Sequence, residues 1–113
     1  MHPYPRLPRL GSMFFATIAI ATLASFTPAW AADVTVTISN FAFTPEAVTI
    51  AVGDTVTFKN GDDTIHSVQA DNGSFHSQAL DSGDEFSFKF TAAGIFSFHC
   101  GLHPFMQGKI TVK

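Results

Sequence analysis

From residue 33 onward the chain alternates between apolar and polar positions. Val34, Val36 and Ile38 bracket Thr35 and Thr37, Val48, Ile50 and Val52 bracket Thr49 and Ala51, and Val56 and Phe58 follow Thr55 and Thr57. Farther on, Phe86, Phe88 and Phe90 interleave with Ser87 and Lys89. Phe96, Phe98 and Cys100 interleave with Ser97 and His99, and Ile110 and Val112 close the pattern. A period of two, rich in β-branched and aromatic residues, predicts strands with one face buried. Turn chemistry separates them at Thr44-Pro45, Gly53-Asp54, "NGDD" (60–63), "DNG" (71–73), "DSGD" (81–84) and Gly94. No run keeps a helical period. About six short strands at this spacing predict an all-β domain, an antiparallel sandwich or barrel.

The front of the chain follows another rule. "MHPYPRLPRLGS" carries Arg6 and Arg9 and no acid; an apolar run of 14 residues, "MFFATIAIATLASF", follows, and then Pro28 and the small-x-small triplet Ala29-Trp30-Ala31. This order predicts a Sec-type secretory signal over residues 1–31, cut after Ala31 or Ala32, leaving one domain over 32–113. The competing reading, a retained anchor over Met13–Ala32, is weakened by Thr17, Thr22, Ser25, Thr27 and Pro28. Leu7-Pro8 separates the two arginines, so a twin-arginine signal is not supported. The expected location is the periplasm or another exported compartment, with no membrane segment in the mature form.

Charge and cysteine count narrow the function. Both arginines leave with the signal, and four lysines remain against nine acids, a balance of −5 with histidines neutral. Such a surface disfavours nucleic acid and suits approach to a basic partner. A domain this small ordinarily needs a staple, and exported proteins often use disulfides. With Cys100 as its one cysteine, the chain cannot close its own.

Cys100 shares its strand face with Phe96 and Phe98, so its sulfur is expected to point inward at a strand end. His99 points the other way and is expected at the surface or between strands; His76, in "NGSFHSQ", is expected in solvent. Three residues beyond Cys100 stands His103, and three further Met106, spacings that let one turn converge three side chains. A fourth donor must come from elsewhere, and His66 in "DDTIHSV" is the candidate. A thiolate, two imidazoles and a weak thioether form the donor set of a blue-copper electron-transfer centre. Structural zinc favours several thiolates. Haem attachment wants C-x-x-C-H, and a Cys–His nucleophile needs an orienting group that nothing here signals. The bland alternative is a buried thiol with incidental neighbours.

These residues carry a resemblance. "FTPEAVTIAVGDTVTFKN" (43–60) and "HCGLHPFMQGKI" (99–110) resemble the cupredoxins across nearly the whole mature chain. The second stretch is similar to the copper loop in its shortest, amicyanin-like form. The resemblance implies a Greek-key β-sandwich, an antiparallel or mixed two-sheet barrel, holding one type 1 copper. It assigns equatorial ligands to His66, Cys100 and His103 and an axial one to Met106. It implies a monomeric one-electron carrier, not an enzyme, whose exit lies at His103 within an apolar patch of Leu102, Pro104 and Phe105, extended by Phe41 or Phe43. Its transient partners would be redox proteins, such as a periplasmic methylamine dehydrogenase and a c-type cytochrome. The alternative is a copper-handling protein using the same ligands. Two positions depart from the family pattern. Leu102 replaces a proline, and its retained N–H is expected to donate to the Cys100 thiolate and favour Cu(I). Ser67 replaces an asparagine that ties the two ligand loops together, and its hydroxyl is expected to make a similar bond.

Overall fold

The computed structural model describes Pro3 and residues 30–113. The expected signal segment therefore lies outside the described residues, apart from Pro3, Trp30 and Ala31. Eight strands follow: β1 (Asp33–Ser39), β2 (Ala42–Thr44), β3 (Ala47–Ile50), β4 (Thr55–Asn60), β5 (Gln69–Ala70), β6 (Glu85–Lys89), β7 (Gly94–His99) and β8 (Gln107–Val112).

They form two four-stranded sheets, ordered β2-β1-β4-β6 and β3-β8-β7-β5. Both sheets are mixed, with β1 parallel to β4 and β3 parallel to β8 and the other ladders antiparallel. The expectation of a barrel is corrected, because no closed barrel forms among the described residues and the sheets stack as a sandwich. Edge strands β2 and β5, of three and two residues, offer too few ladder bonds to join one sheet to the other.

The alternating residues face each other across the sandwich. Val34 pairs with Val56 and Val36 with Phe58 along the parallel ladder, and Phe58 pairs with Phe86 on its other side. Phe58 is fully buried, stacked on Phe75 and Phe86 and edge-on to Phe43 and Phe98. Offset and edge-on rings of this kind add to the gain from area burial alone. Val52 departs from the pattern. Strand β3 stops at Ile50, and Val52 is exposed in the turn before Gly53, whose φ of 96° favours glycine.

Strand direction sets where chemistry can collect. β1, β4 and β7 all run toward one end of the sandwich, and β8 starts there. The turn after β1, the loop after β4 and the segment joining β7 to β8 therefore meet at a single pole. These three segments carry Phe41, His66 and the Cys100-to-Met106 turn.

Candidate metal centre

Asn60 organises the first of the two loops. Its buried side chain donates to the carbonyls of Thr64 and Leu80, each at 2.9 Å, and accepts from the Asp62 amide at 2.9 Å. The loop is drawn into a tight turn that returns His66 to the interior. There its amide donates to the Leu80 carbonyl at 3.1 Å, and the Leu80 amide donates back at 2.7 Å. The second loop closes on itself. The Cys100 amide donates to the Met106 carbonyl at 3.0 Å, and the Met106 amide to the His103 carbonyl at 2.9 Å. Backbone bonds thus bring the ends of the Cys100-to-Met106 segment together before any side chain acts.

The side chains complete the cluster. Cys100 Sγ lies 3.7 Å from Nδ1 of His66 and 3.7 Å from Nδ1 of His103, and the three donor atoms fall within 4.8 Å of one another. A thiol carries one proton and cannot donate to two imidazoles at once. Bonds of about 2.3 Å to sulfur and about 2.0 Å to nitrogen, at a trigonal angle, place the two donors roughly 3.7 Å apart. The spacing therefore fits ligands sharing one ion. His66 and Cys100 have no exposed surface, Met106 is buried in the same loop, and His103 alone is partly open to solvent. Among the described residues, no other group of three histidine, cysteine or carboxylate side chains converges in this way.

Ser67 links the two loops twice. Its amide donates to Cys100 Sγ at 3.3 Å, and its hydroxyl accepts from the Gly101 amide at 2.9 Å. The expected bond from Leu102 does not form. Among the described residues, the sulfur's backbone donor is Ser67, and Leu102 stands exposed at the surface. Leu102 thus lines the rim, with no hydrogen bond through which it could tune the sulfur.

Asp62 escaped the sequence reading, and Phe41 was expected only as a member of the surface patch, not as a partner of the ligand rings. Asp62 Oδ2 sits 2.9 Å from His66 Nε2 and accepts the Phe41 amide at 2.9 Å, while Oδ1 accepts the Asn40 amide at 2.6 Å. The Phe41 amide chiefly, with help from the His66 ring and the Asn40 amide, holds this carboxyl below its ordinary pKa against the opposing effect of burial. Asn40 and Phe41 both have positive φ, 53° and 58°. A left-handed conformation costs a residue such as phenylalanine about 1–2 kcal/mol and asparagine less, so the turn presents both amides to the carboxylate at an expense borne chiefly by Phe41. Phe41 itself meets the His66 ring edge-on at 5.3 Å and the His103 ring at 5.2 Å. The signal for Asp62 was a carboxylate four residues before the candidate histidine; for the contact of Phe41 with the two imidazoles there was none, since that contact depends on the turn.

Around His103 stand Phe41, 42% exposed, Leu102, 55%, Phe105, 71%, and the exposed Pro104. Phe43, the alternative to Phe41 as an extension of this patch, is instead buried, edge-on to Phe98 at 4.8 Å in the core. His99 turns away from the cluster and pairs with Asp71 at 2.6 Å. His76 is exposed.

A family model described as a cupredoxin-like domain matches residues 12–112. Amicyanin of Paracoccus denitrificans is 34% identical over 113 residues, spanning 88% of this chain and 86% of the relative. Amicyanin-alpha of Methylorubrum extorquens is 33% identical over 107 residues, spanning 88% and 90%. Among solved structures, a reduced amicyanin variant superposes with a TM-score of 0.69 at 30% identity, covering 72% of this chain and 82% of its own.

Proposed function

The chain belongs to the cupredoxin-like family, and on that premise we propose that it is a type 1 copper protein carrying single electrons between exported redox partners. The observation that supports this most is the convergence of His66, Cys100 and His103 donor atoms within 4.8 Å from two loops far apart in the chain. His66, Cys100 and His103 would hold copper through Nδ1, Sγ and Nδ1, with Met106 as the weak fourth donor. Bound there, copper supplies a one-electron Cu(I)/Cu(II) couple.

The protein's own part is to hold its donors still. Sulfur suits Cu(I) and imidazole suits Cu(II), so a donor set fixed by backbone bonds serves both valences with little rearrangement. Four protein donors leave no open position for a substrate, which fits a carrier and not an enzyme. His103, the one partly exposed donor, is the exit, and the apolar ring of Phe41, Leu102, Pro104 and Phe105 is where a partner sits. Encounter surfaces of redox proteins are small and released quickly. The amicyanin likeness suggests a methylamine dehydrogenase as donor and a c-type cytochrome as acceptor. A copper-handling role would want a site that opens for exchange; full burial of His66 and Cys100 favours retention instead.

The mature form is proposed to span 32–113 after removal of a Sec-type signal, in the periplasm, as a monomer. No helix among the described residues is long and apolar enough to cross a membrane. The decisive experiment is the absorption spectrum of purified protein loaded with Cu(II). An intense blue thiolate–copper band, lost in Cys100→Ser, is the expected result; a colourless protein would rule the assignment out.

A further inference from the structure

We propose that Asp62 is a positioning residue for the copper site, its carboxylate tying the buried ligand His66 to the left-handed Asn40–Phe41 turn so that ligand and surface aromatic hold as one unit. The proposal rests on the reading of His66 as a ligand, and it starts from how many bonds one side chain makes. Asp62 accepts from three groups that belong to two separate parts of the chain: the Asn40 amide, the Phe41 amide and the His66 ring. Its own amide is in turn held by Asn60 Oδ1 at 2.9 Å. The carboxylate is therefore fixed from behind before it fixes anything in front.

An ionised carboxylate can only accept, so Nε2 of His66 carries the proton and Nδ1 turns its lone pair to the Cys100 sulfur. A carboxylate on the far nitrogen of a metal-binding imidazole raises its basicity and fixes its plane. That favours the more highly charged Cu(II) over Cu(I). On the other side, the two amides that Asp62 accepts belong to adjacent residues in a conformation that side-chain-bearing residues seldom adopt. Among the described residues, Phe41 is the one phenylalanine stacked edge-on against both candidate histidine ligands. Losing the carboxylate frees the turn, and with it the ring that leans on both imidazoles.

The test uses Asp62→Ala and the shape-conserving Asp62→Asn, with Asp63→Asn as the control. Asp63 is the exposed neighbour, so its variant removes the same charge without touching the bonds. Two quantities are read. The first is amide hydrogen exchange at Asn40 and Phe41 in metal-free protein, expected to quicken by about tenfold or more in the Asp62 variants, as lost protection implies. The second is the midpoint potential of the copper-loaded protein, expected to rise in both Asp62 variants and to move far less in the Asp63 control. Exchange at wild-type rates overturns the coupling of turn to ligand. A potential unchanged, or shifted equally by the Asp63 control, overturns the positioning of His66. Should Asp62→Ala fail to fold, Asp62→Asn carries both measurements. Because exchange is measured without metal, a failure of the coupling is separable from a failure of the copper assignment itself.

Discussion

At the scale of single residues, the site depends on bonds between parts of the chain that meet only after folding. Ser67→Ala removes the hydroxyl that accepts the Gly101 amide but keeps the Ser67 amide on the Cys100 sulfur. A lost bond of this kind costs about 0.5–1.5 kcal/mol. Denaturant unfolding of the apoprotein should show that loss while the copper-loaded variant stays blue; loss of the blue band would mean that the hydroxyl does more than brace the loop. Gly101→Ala should be worse, because a Cβ there overlaps the Gln69 side chain and comes within 2.8 Å of Ser67 Oγ. Copper titration should find weaker binding in that variant, with wild-type affinity refuting the steric argument. His66, Cys100, His103 and Met106 were legible in the sequence because donor chemistry belongs to residue type and three of them share one turn. Asn60 and Asp62 were not: "NGDD" reads as an ordinary turn, and their roles lie in bonds to Leu80, Asn40 and Phe41 that no local pattern announces. Leu102 shows the opposite failure. A free amide next to the thiolate looked sufficient, yet the chain turns so that Ser67, from the other loop, makes the bond.

At the scale of elements, alternation revealed the long strands and missed the short ones. β1, β4, β6, β7 and β8 each carry two or more inward residues, enough for a period to show. β2 and β5 have three and two residues, and a period of two needs more length than that. The choice between Phe41 and Phe43 for the patch stayed open for this reason: β2 pairs with β1, with Phe43 opposite Ile38, and so turns the Phe43 ring into the core and leaves Phe41 to the surface. Parallel pairing of β1 with β4 and β3 with β8 was equally hidden, since inward residues alternate the same way in either direction. The core itself offers a test. Phe58 touches aromatic rings from β2, β6, β7 and the loop holding Phe75. Phe58→Ala should cost about 3–5 kcal/mol, the range for a buried aromatic truncated to alanine. Urea unfolding measures it, and a loss under about 1 kcal/mol, the scale of ordinary substitutions, would show the cluster to be loosely packed.

At the scale of the whole molecule, the sandwich is tied at both ends by different means. The pole at the ends of β1, β4 and β7 is joined by the proposed metal, whose affinity adds to folding stability. At about a hundredfold excess over the dissociation constant, a ligand binding only the folded state adds ~2.7 kcal/mol. Holo protein should therefore melt above apo, and equal melting temperatures would contradict the linkage. The opposite pole is held by Asp54, at the turn before β4. Its carboxylate accepts the Ala32 N–H (an amide in the full chain, the α-ammonium in the proposed 32–113 form) at 2.9 Å and the Ala51 amide at 2.9 Å, while the Thr55 amide donates to the Ala32 carbonyl at 3.0 Å. Those bonds, that from Ala32 first and that from Ala51 second, lower the Asp54 pKa from 3.8 despite the opposing effect of burial. A depressed folded-state pKa means that folding favours the ionised form. The contribution is thus complete above the ordinary carboxylate value and disappears as pH falls through the lowered folded value. Asp54→Asn should then be less stable than wild type at neutral pH, and the difference should close in acid. Urea midpoints of the apoprotein from pH 7 down to about 3, where carboxylates of ordinary pKa protonate, provide the measurement. A gap that stays constant across that range would show that the clamp acts through shape and not through charge.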